Sequence, residues 1–161
     1  MTTVVFFIRW VTSWFLLLLC LVPLMAYPAP NSTLVAATAQ KLDFGTFAVL
    51  PSCTNCTVTV GTNGVRSRTG GVILSSSNNG RPGTFSVTCN NGSCPWSGTA
   101  SGAPSIAAGG VTMTIGTFTT LKAGANTPSV LAIGATLTIP NSGSVVGTYS
   151  SGNFTVTTTT P

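Results

Sequence analysis

The chain has 161 residues, which is about one domain, and only 4% of them are charged, for a net charge of +5. Hydrophobic residues make up 43% of the chain, which excludes a disordered protein of low hydrophobicity and high charge. There is no histidine, and Asp43 is the single carboxylate side chain, so the usual groups for general acid–base catalysis are missing. We therefore expect neither an enzyme nor a cofactor.

The positive charge comes from scattered residues. Arg66 and Arg68 form the only close pair among the six basic residues, and no basic stripe is present. We expect no nucleic-acid partner and attribute the basicity to the shortage of acidic residues.

Residues 1–26 have the pattern of a secretory signal peptide. Arg9 supplies positive charge, residues 11–25 are mostly apolar, and Leu24-Met25-Ala26 is an acceptable cleavage site. The apolar run is short for a spanning helix, which needs about 20 residues, although an uncleaved anchor stays open as an alternative. The sequence therefore predicts export, with a mature chain that begins near Tyr27.

Residues 27–41 are predicted to be an N-terminal extension, followed by the folded domain at residues 42–161. Pro28 and Pro30 keep the start of the extension non-helical. Residues 34–39 are small and mostly apolar, so either face of a strand formed there is suited to burial.

The predicted domain opens with the sequence L-D-F-G-T-F at Leu42–Phe47. Leu42 and Phe44 alternate with Asp43 and Gly45, which is the pattern of a half-buried strand. The glycine predicts a bulge or a close approach of another backbone. D-F-G also occurs in protein kinases, but the histidine of the kinase catalytic loop has no counterpart here.

Short alternating runs separated by turn residues make up the rest of the chain. The most regular run, Val111–Phe118, predicts Met113 and Ile115 in the core with threonines facing solvent. Many short strands at this spacing are typical of a β-sandwich or barrel. The other predicted strands are Thr57–Val60, Val72–Leu74, Thr84–Cys89, Val130–Ile133, Ala135–Ile139 and a last strand that contains Phe154 and Val156.

Four cysteines follow the signal peptide: Cys53, Cys56, Cys89 and Cys94. An even number in an exported chain favours two structural disulfides over a zinc site, and a zinc site over a redox pair. Of the three connectivities we favour the local one, Cys53–Cys56 with Cys89–Cys94, and the crossed pairings stay open.

Eight short segments follow one another in a fixed order: L-D-F-G-T at 42–46, T-V-T-V at 57–60, R-S-R-T-G-G-V at 66–72, F-S-V-T-C at 85–89, V-T-M-T-I at 111–115, I-G-A-T-L-T-I-P at 133–140, G-T-Y-S at 147–150 and F-T-V-T at 154–157. In this order they resemble a family of secreted bacterial β-sandwich domains of unassigned function. That family is allied to the Mat/Ecp fimbrillins and the spore-coat-protein-U-like pilins.

The resemblance implies an immunoglobulin-like β-sandwich, including the variant that lacks its final strand. It also implies a structural subunit of an extracellular pilus or fimbria, exported through the periplasm to the cell surface. In such pilins the N-terminal extension of a neighbouring subunit fills the groove left by the missing strand, and here Val35, Ala37 and Ala39 are the candidate donor-strand residues. The alternative is that this segment pairs within its own domain as the first strand. The implied partners are other copies or related subunits, with a chaperone and an usher, and the membrane matters only during export. The chain departs from this pattern at its polar end, Thr157–Pro161, which lacks an aromatic residue.

The alternative function is a monomeric secreted module for adhesion that binds a glycan or a surface through loops around Trp96 or Tyr149. These two residues and Phe118 are candidates for a sugar-binding platform. Aromatic residues in a small sandwich are more often core, so we favour a core role for them.

Overall fold

The computed structural model describes residues 33–108, 111–140, 145–150 and 153–160, and the predicted signal peptide and mature N-terminus lie outside these ranges. The described part is all-β and confirms the predicted sandwich-like class. Within these ranges no helix is long and apolar enough to cross a membrane. The twelve strands are β1 Leu34–Gln40, β2 Asp43–Val49, β3 Cys56–Val60, β4 Arg66–Thr69, β5 Val72–Leu74, β6 Gly83–Cys89, β7 Ser97–Ser101, β8 Ser105–Ala108, β9 Val111–Lys122, β10 Ser129–Ile139, β11 Val145–Ser150 and β12 Thr155–Thr159.

The strands form three antiparallel sheets. The largest contains seven strands and is built on β10, which pairs along one edge with β9. The other edge of β10 pairs first with β6, through Ser129–Ile133, and then with β3, through Ala135–Ile139. β1 extends the sheet beyond β6, β4 beyond β3 and β8 beyond β9. The second sheet has the order β11-β2-β5, and the third pairs β12 with β7.

Gly134 lies where β10 passes from β6 to β3. A Cβ atom at this position would overlap the carbonyl oxygen of Val60 and lie 2.7 Å from Oγ1 of Thr119. Opposite this point the β9–β10 register shifts, and Thr117 has a φ of 47°, which marks a β-bulge. The sequence predicts a break at Gly134, with one strand before it and one after it. This prediction is wrong: β10 is continuous through Gly134, because the glycine lets neighbouring backbones approach closely.

Two hydrophobic clusters form the core. The larger lies between the seven-stranded sheet and the β11-β2-β5 sheet, and it contains Met113 and Ile115, which are 0% and 1% exposed as predicted. The smaller consists of Val87, Trp96, Leu131 and Ile133. Phe118 and Phe154 pack against both clusters, and their ring centroids are 5.2 Å apart, so this aromatic pair joins the two.

The outer face of the large sheet is lined with hydroxyl groups. Strand register places one row across five strands: Thr69, Thr57, Thr138, Thr114 and Ser105. Within this row the Oγ1 atoms of Thr57 and Thr69 are 2.8 Å apart, at hydrogen-bonding distance. Threonine suits exposed strand positions because it combines a β-branched shape with a polar group. The chain thus covers this face with hydroxyl groups rather than charges.

The L-D-F-G motif leads into β2, which starts at Asp43, and Gly45 is both a bulge and a close contact, as predicted. Its φ is 74°, and a Cβ atom there would overlap Nη1 of Arg66 and the carbonyl oxygen of Asn78. The pairing with β11 shifts register between Asp43 and Gly45. The Asp43 carboxylate accepts a hydrogen bond from the Gly45 amide at 2.7 Å and one from Nδ2 of Asn78 at 3.3 Å. Asp43 therefore fixes local backbone conformation.

The last strand lies further along the chain than the sequence predicts, because Phe154, which was expected inside it, precedes β12. The apolar pattern ends at Val156, but β12 continues to Thr159 and pairs with β7. Alternate residues of both strands are exposed, and Oγ of Ser97 lies 2.8 Å from Oγ1 of Thr159. The hydroxyl-rich end of the chain is a strand because it pairs with β7, another strand in which small polar residues predominate.

Candidate functional site

Among the described strands β1 pairs only with β6, so it lies at an edge of the large sheet. The antiparallel register runs from Leu34 opposite Cys89 to Gln40 opposite Thr84, with Ala39 as an extra residue in a bulge. Most of the predicted extension that the structure describes thus belongs to the sheet of its own chain. An edge strand presents a row of unpaired backbone groups that can bind another strand.

β1 buries little side-chain surface. Leu34 and Gln40 are half-buried, and the five residues between them are exposed. Leu34 alone among the β1 side chains packs against the smaller core cluster. β2, of equal length, has four buried residues. Apolar burial stabilises by about 25 cal/mol per Å², so β1 gains far less from the core than β2 does.

The two faces of β1 follow from its partners on β6. Val35 and Ala37 lie opposite Thr88 and Ser86, which are exposed, whereas Ala36 lies opposite the buried Val87. The predicted donor residues Val35, Ala37 and Ala39 are all exposed, and Val35 has 59% of its surface in solvent. In its own sheet, β1 therefore turns these side chains away from the core.

A cavity of about 180 Å³ lies beside the second half of β1. Thr38 and Gln40 line it together with Phe85 of β6 and Phe154, which precedes β12. The small side chains of β1 thus leave unfilled space between the strand and the aromatic groups of the core.

Polar contacts fix both ends of β1. At the start, the Thr33 amide donates to Oδ1 of Asn90 at 2.9 Å, and the Asn90 amide donates to the Thr33 carbonyl at 3.2 Å. At the end, Nε2 of Gln40 donates to the Pro82 carbonyl at 2.8 Å. Sequence reasoning missed these contacts, because nothing in the sequence indicates which distant segment lies beside β1. Direct bonds of this kind contribute about 1 kcal/mol each.

The four cysteines form two disulfides, Cys53–Cys56 and Cys89–Cys94, which confirms the favoured local connectivity. Cys56 pairs with Ile139 at the end of β10, whereas the strand carrying Cys89 pairs with the beginning of β10. The bridges therefore lie at opposite ends of the large sheet. The sulfur atoms that a zinc site would need as thiolates are oxidised to disulfides, and the described residues contain no cluster of three or more potential metal ligands.

Trp96 belongs to the core and is only 2% exposed. Nζ of Lys122 lies 5.2 Å from the centre of its ring and donates to its carbonyl oxygen at 2.6 Å. Phe118 is half-buried between the two clusters. These positions confirm the core interpretation for both residues, while the Tyr149 side chain lies outside what the structure describes.

Comparison with known proteins gives one family match. A model described as a domain of unknown function, DUF4402, matches residues 34–159. The match begins at the first residue of β1 and ends at the last residue of β12. No curated protein and no solved structure matches the chain.

Proposed function

Because this chain belongs to the DUF4402 family, whose function is unknown, we propose its role from its own geometry: a structural subunit of an extracellular pilus-like fibre. In this proposal, β1 of one copy leaves its own sheet and pairs with β6 of the next copy. The observation that supports it is an edge strand with five consecutive exposed residues and a cavity beside it. Such exchange of an identical element is a low-cost route to assembly.

The free-energy balance favours exchange of β1 over exchange of any core strand. Detaching β1 from its own sheet uncovers Leu34 and breaks the contacts of Gln40, while the larger cluster stays intact. The vacated edge of β6 then offers unpaired backbone groups to the incoming strand, as in β-augmentation. The same contacts re-form between copies. The net free-energy cost of exchange is therefore the entropy lost when two molecules associate.

The connection between β1 and β2 also supports exchange. Only Lys41 and Leu42 separate the two strands, and Leu42 is fully buried. β1 and β2 lie in different sheets, so this short connection is the hinge at which β1 would swing away from its own sheet. Lys41 is exposed and can change its backbone conformation without disturbing the core.

The register seen within one chain defines the faces of the exchanged strand. If it is kept, Leu34, Thr38 and Gln40 face the neighbour's core, and Val35, Ala37 and Ala39 stay in solvent. For those three residues to fill the groove, the register would have to shift by one residue, because side chains alternate along a strand. We propose the unshifted register because it preserves the Leu34 contact.

Export and the surrounding machinery belong to the same proposal. The two disulfides suit an oxidising compartment such as the periplasm or the cell surface. Other copies or related subunits would be the main partners, and a chaperone that covers the free edge of β6 would keep it from pairing prematurely. The alternative, a monomeric adhesion module, has no aromatic platform at Trp96, which is buried.

A cross-linking experiment tests the exchange. Ala37 and Ser86 lie opposite each other, and both are exposed, so cysteines at these positions report the pairing of β1 with β6. Two preparations of the mature protein, one carrying Ala37→Cys and the other Ser86→Cys, are mixed, assembled and oxidised. Exchange predicts covalent dimers in the sedimenting fibre fraction on a non-reducing gel, and fibres by electron microscopy.

The matched control is the pair Thr59→Cys and Thr136→Cys, which joins β3 to β10 inside the sheet. These cysteines are expected to bond only when both are in one chain. Monodisperse particles, together with bridges only within a chain that carries both Ala37→Cys and Ser86→Cys, would refute the exchange and favour the monomeric module.

A further inference from the structure

A second cavity, of about 370 Å³, lies beside β4 and the loop that follows β5. Its lining consists of Gly64, Arg66, Leu74, Ser75, Ser76 and Asn79. It thus combines one cation, two hydroxyl groups and an amide with a single apolar side chain. This volume lies within the range of about 300–1,000 Å³ that is usual for pockets that bind small molecules.

Arg66 is held rigidly at this cavity by three backbone carbonyl groups. Its Nη1 donates to the oxygens of Phe44 at 3.1 Å and Thr46 at 3.0 Å, and its Nη2 donates to the oxygen of Ser75. Within the described part of the chain, the Nε–H group and the second Nη2–H group have no protein acceptor. A guanidinium is planar and recognises carboxylates with two parallel hydrogen bonds, so a fixed arginine with free N–H groups is suited to that ligand.

The charge of Arg66 is partly removed from water. Burial lowers the pKa of the guanidinium, and the negative charge of Asp43 partly offsets this effect. The side chain nevertheless stays protonated, because arginine does not titrate in proteins. The oxygens of Asp43 accept hydrogen bonds from the Gly45 amide and Asn78, not from Arg66. The half-buried cation therefore has no carboxylate bonded to it.

We propose that this cavity binds a carboxylate-bearing sugar, such as a hexuronic acid or a sialic acid. The guanidinium of Arg66 would bind the carboxylate, while Ser76 and Asn79 would bind sugar hydroxyl groups. Both side chains are exposed at the rim, and hydroxyl and amide groups both donate and accept. An acidic peptide fits less well, because Leu74 is the single apolar side chain in the lining.

This inference is independent of strand exchange, because it concerns a single copy of the chain. In a fibre, many copies would bind one acidic polysaccharide together and increase the overall affinity. The site would then make the fibre adhesive. It would recognise its ligand by the charge and the hydroxyl groups of the sugar rather than by stacking on an aromatic platform.

The test uses the mature protein with its disulfides intact, titrated with glucuronic acid, N-acetylneuraminic acid and glucose while amide NMR shifts are recorded. We expect the acidic sugars to shift resonances of the cavity residues and glucose to leave them unchanged. Asn79→Ala and Ser76→Ala, which alter exposed side chains, are each expected to weaken binding about tenfold or less, and Arg66→Lys by more than about tenfold. Asn79→Ala and Ser76→Ala keep the test valid if the Arg66 variant fails to fold.

Arg68→Ala is the matched control, because Arg68 is an exposed guanidinium two residues along the same strand. It should leave the affinity unchanged. An equal loss in this variant would mean general attraction to positive charge and would overturn the site. Unchanged cavity resonances with either acidic sugar, or equal shifts with glucose, would also overturn it. If N-acetylated glutamate competes as well as glucuronic acid, the ligand is a carboxylate of another class and the sugar assignment is wrong.

Discussion

Gly134→Ala should destabilise the fold although it adds a single methyl group. The added Cβ would overlap the oxygen of Val60 and lie 2.7 Å from Oγ1 of Thr119 and 2.9 Å from the carbonyl carbon of Gly61, distances that side chains do not adopt. Two of these atoms belong to backbone, so they can retreat only by distorting the pairing of β10 with β3. Overpacking of this kind costs about 2–3 kcal/mol. At about 4 °C per kcal/mol for a domain of this size, the melting temperature should fall by about 8–12 °C.

The assay is urea unfolding of the mature protein with its disulfides intact. Trp96, the single tryptophan in residues 27–161, reports the transition by fluorescence because it is buried in the smaller cluster. Gly116→Ala is the matched control, since it makes the same change in the neighbouring strand β9, where a Cβ would meet nothing within 4 Å. This variant should be neutral or more stable by ~0.4–1 kcal/mol, because alanine restricts the unfolded chain.

The prediction is refuted if the free energy of unfolding of Gly134→Ala lies within ~0.5 kcal/mol of that of the parent protein, a change typical of a surface position. It also fails if Gly116→Ala costs as much as Gly134→Ala, since the loss would then reflect glycine in strands generally. A changed denaturant slope would point to an altered unfolded state and not to the contacts of Gly134.

Three further predictions concern the core, the bridges and the N-terminus. Met113→Ala, and separately Ile115→Ala, should cost about 2–5 kcal/mol in the same urea assay, because both side chains are buried in the larger cluster; near-neutral results would mean that the faces of β9 are inverted. Alkylation without reductant should modify no cysteine of the mature protein, and loss of either bridge should cost about 2 kcal/mol because the loops are short; a labelled thiol would contradict this. The intact mass of exported protein should match a chain that begins near Tyr27, whereas residues 1–26 retained in a membrane fraction would indicate an anchor.

The alternation of apolar and polar residues along the chain was enough to predict the strands that bury one face. The Val111–Phe118 run and the Thr57–Val60 run both lie within observed strands, with the expected residues inside. β4 and β7 were missed, because R-S-R-T and S-G-T-A-S have no apolar alternation and form strands only through their partners. The three partners of β10 were equally unpredictable, since pairing between distant segments leaves no local pattern.

At the candidate site, too, the sequence indicated local features but not the contacts between distant segments. The small, mostly apolar side chains at residues 34–39 were compatible with a strand, but they could not show which face would turn inward. The face was set by Leu34, whose contact with the smaller cluster is visible only in the fold. The cavity at Arg66 was also out of reach, because it combines β4 with a loop that follows β5.

The placement of the two disulfides has a mechanical consequence. They join cysteines three and five positions apart, so under tension they would hold back a contour length of roughly 28 Å, at about 3.5 Å per residue. The stretch from Thr33 to Thr160 would extend to roughly 440 Å at the same rise. Neither bridge joins one sheet to the other, so neither can stop the sandwich from being pulled apart. Resistance to force would therefore come from strand pairing, beginning with β1 on β6 and β12 on β7, and reducing agents should change the unfolding force little.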